Sequence, residues 1–290
     1  MGLRAKFNIL MIVVSALGVG LFILAANSLV NSVARDDVLQ SSRIMMESAA
    51  GARKYTSEQI APVLKPMIAH QFYPQSVSAY AAKRNFDVIR SKFPDYMYRE
   101  AALNPTNPQD RASDWEADMI NEFRAHPGKE EISMERSTPT GPMLELARPL
   151  VNKPACLECH DTAADAPASM IALYGSQNGF GWKPGEVIGA QIVSVPMTES
   201  TIRAAQIRKL FVIPFIVFLV VLFAAVNLLL HFIVIRPIER MAGAAEAVSM
   251  GKIDTPEYEH PGTDQVGRLA SSFNRMHRSL AEALRMLGDD

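Results

Sequence analysis

Two long apolar runs frame the chain. Residues 7–34 carry no charged side chain, and residues 9–34 are long enough to cross about 30 Å of hydrocarbon at 1.5 Å per residue. Residues 210–235 form a second such run. The first exceeds the roughly 7–15 residue apolar core of a cleaved signal peptide and ends in no clear small-x-small site, so a retained anchor is expected. Between the runs, Val38, Met45, Ala49, Ala52, Thr56 and Ile60 recur at helical spacing, which predicts that the first helix continues outward as a rod until Pro62 and Pro66 end it. Further helices are predicted over 76–91 and over 113–125, the latter opened by a Ser113/Glu116 capping box, with a Pro- and Asn-rich loop at 104–108 between them. Strands follow: 131–137 and 143–151 as a hairpin, then 187–196. Helices first and strands later imply an α+β domain. Beyond the second run, Pro237, Ile238, Met241, Ala245 and Val248 outline a short helix ended by Gly251. After a polar connector, Val266, Leu269, Phe273, Met276, Leu280 and Ala283 repeat in a 3-4 pattern. Two such helices bury little alone, so a dimeric four-helix coiled coil is expected, and few Lys residues argue against a helix lying on the membrane.

Charge orients this plan. Arg4 and Lys6 precede the first run and Arg236 and Arg240 follow the second, placing both termini in the cytoplasm. Arg208 and Lys209 at the outer mouth oppose this weakly, because a long loop translocates largely regardless of charge. The expected organisation is a cytoplasmic stub at 1–8, transmembrane helices at 9–34 and 210–235, an extracytoplasmic domain at 35–209, a cytoplasmic helical domain at 236–287 and a tail at 288–290. The expected location is a bacterial inner membrane, crossed twice, with membrane lipid as a partner. In the second run, Pro214, Asn227 and His231 are read as a kink, a helix-bonded amide and an interfacial imidazole. Across 290 residues, 29 Lys and Arg balance 30 Asp and Glu, which excludes nucleic-acid binding by bulk charge.

The 2 cysteines are three positions apart in Cys156-Leu157-Glu158-Cys159-His160, too few for a disulfide framework. Two thiols at this spacing can each form a thioether to one porphyrin, and the adjacent imidazole can reach its iron, so one covalent haem c is the favoured cofactor. Zinc fits less well, since no further Cys exists and His160 stands directly beside Cys159. A redox dithiol lacks an evident βαβ setting. Two inert buried cysteines would leave the histidine unexplained. Ile171, Leu173, Tyr174, Phe180 and Trp182 could line a haem pocket or be ordinary core, and Arg148 and Lys153 could meet propionates or solvent. For the sixth iron position the candidates are His70, preferred, with His126, Met67, Met97, Met119 and Met143. No Walker loop, GxGxxG, HExxH or Ser/His/Asp set is present, and the chain is not expected to be an enzyme.

The tail resembles a HAMP domain, carried by Arg236-Pro237-Ile238, Asp264-Gln265-Val266-Gly267-Arg268-Leu269 and Phe273-Asn274-Arg275-Met276, with Gln265 where the family usually has Glu. That resemblance implies homodimerisation and transmission of a conformational change. The outer domain resembles a haem-c-binding, PAS-like periplasmic sensor family of unknown function, often fused to HAMP. The residues that carry this are Tyr98-Arg99-Glu100-Ala101, Asn104-Pro105-Thr106-Asn107-Pro108, Asp114-Trp115-Glu116, the CxxCH itself, Tyr174-Gly175 and Gly179-Phe180-Gly181-Trp182-Lys183-Pro184-Gly185. It implies that Cys156 and Cys159 attach the haem and that His160 is the proximal ligand. Some members are thought to use a Cys on the first long helix as the other ligand, which this chain does not have. The expected fold is thus a PAS-like α+β domain between two transmembrane helices, followed by an all-α HAMP coiled coil. The expected function is a dimeric transducer that senses redox state, through a redox partner, or a diatomic gas, and signals to a separate cytoplasmic partner. The alternative is a membrane-anchored electron-transfer cytochrome, which would need no coiled-coil relay.

Overall fold

The computed structural model describes residues 2–68, 71–252, 254–259, 262 and 264–288. They divide into two units, Ser28–Ile207 and the remainder.

Within Ser28–Ile207 lie the second half of helix α1 (Leu3–Tyr55), α2 (Ala61–Ile68), α3 (Ser78–Lys92), strand β1 (Met97–Ala102), α4 (Asp114–Ala125), β2 (Ile132–Thr138), β3 (Gly141–Val151), the short helices α5 (Leu157–His160) and α6 (Ala168–Tyr174), β4 (Val187–Pro196) and the start of α7 (Thr198–Leu230). The sheet is antiparallel throughout, in the order β1-β4-β3-β2. Val38 and Met46 of α1 pack on Leu144, Leu146, Val193 and Val195 on one face. Met119, Ile120 and Phe123 of α4 cover Ala147, Ala190 and Ile192 on the other. The two central strands are therefore buried on both sides, which is why neither alternates cleanly between polar and apolar residues.

The α+β reading holds, and the helices predicted over 76–91 and 113–125 and the three predicted strands form within two residues of their expected limits, while the short helices α5 and α6 were not foreseen. Two expectations change. The first helix does not stop at Pro62: a π-turn, Thr56–Ile60, joins α1 to α2, and helix continues through Pro66 to Ile68. A proline ring clashes with the carbonyl four residues back, and the wider π-turn just before Pro62 relieves that crowding. The second change is an added strand. β1 was hidden because Arg99 and Glu100 sit at its centre, yet each finds an oppositely charged partner there. Arg99 pairs with Glu116 at 3.2 Å. Glu100 takes Arg53 of α1 and accepts a hydrogen bond from Tyr98 Oη at 2.7 Å.

The remaining unit contains the two apolar helical stretches. The helices Arg4–Ile68 and Thr198–Ser249 each hold an 18-residue window of mean hydropathy 2.8 and 2.9, and are long and apolar enough to cross a membrane. Phe22 stacks on Phe215 at 4.2 Å, and Arg208 donates to Asn27 Oδ1 at 3.1 Å. A second π-turn, His231–Ile235, leads into α8 (Arg236–Ser249), and Gly251, at φ +84°, closes that helix as expected of a C-terminal glycine. In α9 (Gln265–Gly288), Asp264 Oδ1 accepts the Gly267 N–H at 2.9 Å and caps the start. Met241 and Val248 of α8 and Ala270 and His277 of α9 are buried, while Leu269, Met276 and Leu280 are left exposed.

Candidate functional site

The CxxCH motif occupies a long insertion between β3 and β4. Its base is closed by Asn152, only 2% exposed, whose N–H donates to Glu186 O at 2.8 Å, whose Nδ2 donates to Lys183 O at 3.0 Å and whose carbonyl accepts from Gly185 N at 3.0 Å. Inside the insertion, Pro154 starts one tight turn, Pro154–Cys156, and Leu157–His160 adds one helical turn. These consecutive turns present Cys156, Cys159 and His160 from one short coil, and both cysteines are free thiols, half-buried.

His160 is the most constrained of the three. Its Nδ1 lies 2.7 Å from the carbonyl oxygen of Gly179. A carbonyl can only accept, so Nδ1 carries the proton and Nε2 keeps the lone pair. Thr106 Oγ1, 3.3 Å from the same nitrogen, is a further acceptor for that N–H. Trp182 stacks on the imidazole with centroids 4.1 Å apart and planes 16° apart, and Phe180 lies beside it at 6.4 Å. Burial pushes the imidazole below its ordinary value, and the Gly179 bond opposes that only in part, which favours the neutral ring.

Other groups define what the thiols are suited to. Burial, with the neighbouring Glu158 carboxylate and Cys156, raises the Cys159 thiol above its usual range. A reactive dithiol needs the opposite shift. Among the described residues no three His, Cys, Asp or Glu groups converge as a metal site. The donor set instead fits a covalently attached haem: two free thiols for thioethers, and an imidazole whose other nitrogen is bonded to a carbonyl, the usual support of a metal-ligating histidine.

The other predicted site residues disperse. Tyr174 packs edge-on against Phe72 at 6.2 Å and lines a groove of about 700 Å³ with Tyr80, Tyr98 and Asp110, apart from His160. Arg148 is taken up by Glu47 at 2.6 Å and Glu131 at 3.4 Å, so its guanidinium serves the contact of α1 with the sheet. Met119 and Met143 are buried in the core, and His126 caps α4 beside Glu122 at 3.3 Å. Met67 and Met97 are exposed. His70 lies outside the described residues. Reading along the sequence did not find Asn152, nor individual roles for Asn104, Thr106 and Gly179. Their one signal was the clustering of Asn, Pro and Gly on both sides of the motif.

Fold and site together define a modular chain: an α+β domain with a histidine-bearing dithiol loop before its last strand, then a long apolar helix and a pair of amphipathic helices. The chain belongs to the Tll0287-like family, which it matches over residues 31–196, and residues 229–282 form a HAMP domain. The crystal structure of the cyanobacterial haem protein Tll0287 is similar at 17% identity and a TM-score of 0.44, over 55% of this chain and 94% of that one. No curated protein matches the chain.

Proposed function

We propose that the chain is a membrane-bound, dimeric sensor in which Cys156 and Cys159 attach one haem c and His160 is its proximal ligand. The single observation that carries this is the His160 arrangement: Nδ1–H given to Gly179 O at 2.7 Å, which leaves Nε2 free, one turn from Cys156 in one coil. Bound haem supplies an iron whose oxidation state or gas ligation is the stimulus. His160, fixed through Nδ1, would hold that iron by Nε2, Trp182 and Phe180 would limit water around the ring, and Cys156 and Cys159 would prevent loss of the group.

α1 and α2 link the site to the first apolar helix. Arg53, near the end of α1, is paired with Glu100, and burial of its guanidinium is outweighed by that carboxylate, with Tyr98 and Cys156 adding to its raised pKa. Lys65 of α2 meets Glu158 inside the CxxCH at 3.1 Å. In this reading both apolar helices span a bacterial inner membrane, the PAS-like α+β domain is periplasmic, and the exposed Leu269, Met276 and Leu280 face a second copy of α9 in the dimer. HAMP, a two-state element, then passes the bias to a cytoplasmic partner.

The test is made on the full-length chain, purified in detergent from cells able to attach haem c. Haem is expected to remain with the polypeptide on a denaturing gel and to be lost in Cys156→Ala/Cys159→Ala. A colourless wild-type chain would overturn the assignment. Spectra of the reduced protein with CO or NO then separate stimuli: an unshifted low-spin spectrum supports redox sensing, a shifted one gas sensing.

A further inference from the structure

We infer that Asn104 and Thr106, on the turn after β1, are positioning residues that decide which nitrogen of His160 is free. The inference uses the haem reading only for what that nitrogen does. The hydrogen-bond arrangement stands by itself.

Asn104 grips the peptide segment that faces His160 at two points. Its Oδ1 accepts the Gly179 N–H at 3.2 Å, and its Nδ2 donates to Phe180 O at 3.5 Å. With those two groups engaged, the carbonyl between them, Gly179 O, is the one directed at His160 Nδ1. Thr106 packs directly against the same glycine. A Cβ built on Gly179 would stand 2.1 Å from Thr106 Oγ1 and 2.7 Å from Thr106 Cα, and the glycine has φ +85°, so the two loops approach to a distance that only glycine allows. The Thr106 hydroxyl adds a second acceptor 3.3 Å from Nδ1. The 104–106 turn is itself anchored: Ala102 O accepts from Ala112 N at 3.0 Å, and Asn107 Oδ1 accepts from Gln109 N at 3.1 Å. The sheet edge thus reaches the imidazole through two side chains. An imidazole whose N–H is given to a carbonyl is a more basic ligand at its other nitrogen. Asn104 and Thr106 therefore set the tautomer and basicity of His160 without touching Nε2.

Two measurements on the full-length chain test this. In ¹⁵N-histidine-labelled protein made without haem attachment, with His160 assigned by comparison with His160→Gln, the wild type is expected to show the Nδ1–H tautomer. Asn104→Ala and Thr106→Val are expected to show a mixture of tautomers, and Thr106→Ser to restore the wild-type signal. In haem-loaded protein, Asn104→Ala and Thr106→Val should keep covalent haem while the ferrous iron–histidine stretch moves to lower frequency and the midpoint potential rises. Unchanged tautomer, stretch and potential in both variants would overturn the inference. If the wild type takes up no haem, the haem reading fails and the tautomer measurement alone decides: Nδ1–H retained in both variants refutes the positioning role, and its loss upholds it. Should Asn104→Ala not fold, Thr106→Val with its Thr106→Ser rescue decides in the same way.

Discussion

Gly179 concentrates in one residue the geometry on which the site depends. Its left-handed backbone, φ +85°, costs an L-residue about 1–2 kcal/mol, and a methyl group would also push Thr106 away. Gly179→Ala is therefore expected to lower the thermal midpoint of the outer domain and to disturb the His160 environment, read as a changed haem spectrum in loaded protein. An unchanged spectrum and midpoint would show that the loops tolerate separation. Glu145 makes a second residue-scale case. It is fully buried in β3, is held by Arg136 at 2.8 Å and by Ser194, and Arg136 lies over Trp115 at 4.4 Å. Arg136→Met leaves a buried carboxylate without its cation, and denaturant unfolding should show a loss of about 3 kcal/mol, at the lower end because Arg136 is partly exposed. The grouping of Cys156, Cys159 and His160 in one coil was legible because it lies within five consecutive letters. Asn104 and Gly179, 75 positions apart, were not, because nothing local in either residue says which backbone group it will meet. Arg148 misled for the same reason: a guanidinium suits a propionate as well as a glutamate, and the partners came from α1 and from the segment before β2.

At the scale of elements, local capping and periodicity were reliable where the signal was short-range. The Ser113/Glu116 pattern marked the start of α4, and Ser113 N–H and Oγ–H both donate to Glu116 Oε2, at 2.7 and 2.8 Å. Glu116 is 3% exposed and also holds Arg99 of β1, so this cap joins α4 to the edge strand. Glu116→Ala should cost about 2 kcal/mol, more than the roughly 1 kcal/mol of an ordinary cap, and should lower hydrogen-exchange protection in both α4 and β1. Protection lost in α4 alone would show that the Arg99 contact carries no weight. β1 and the π-turn were not legible. β1 has a charged centre that only tertiary partners make acceptable, and a proline reads as a helix end unless the preceding turn widens.

For the whole molecule, Phe273 of α9 is half-buried and its ring is parallel to within 21° of His277, with centroids 6.2 Å apart, inside the HAMP domain. Phe273→Asp is expected to abolish signalling output while leaving the haem spectrum of the outer domain as in the wild type. Signalling that survives the change would remove the relay from the proposed function, and a changed spectrum would show that the substitution acts beyond the helical pair. Modular organisation was readable in the sequence because it is written in long averages: apolar runs sized to a bilayer, helical repeats of three and four, turn residues between strands, and a five-residue motif that needs no distant partner. Each depends on neighbours along the chain, and local physics suffices to interpret it. What only the tertiary structure decided is the pairing of groups far apart in sequence: β1 against β4, Glu100 with Arg53, and Asn104 and Thr106 with the Gly179 loop. A hydrogen bond or ion pair is specified by position in space, and residues with the same donors recur at many positions. The motif could therefore be picked out from the sequence, and the groups that orient His160 only from the fold.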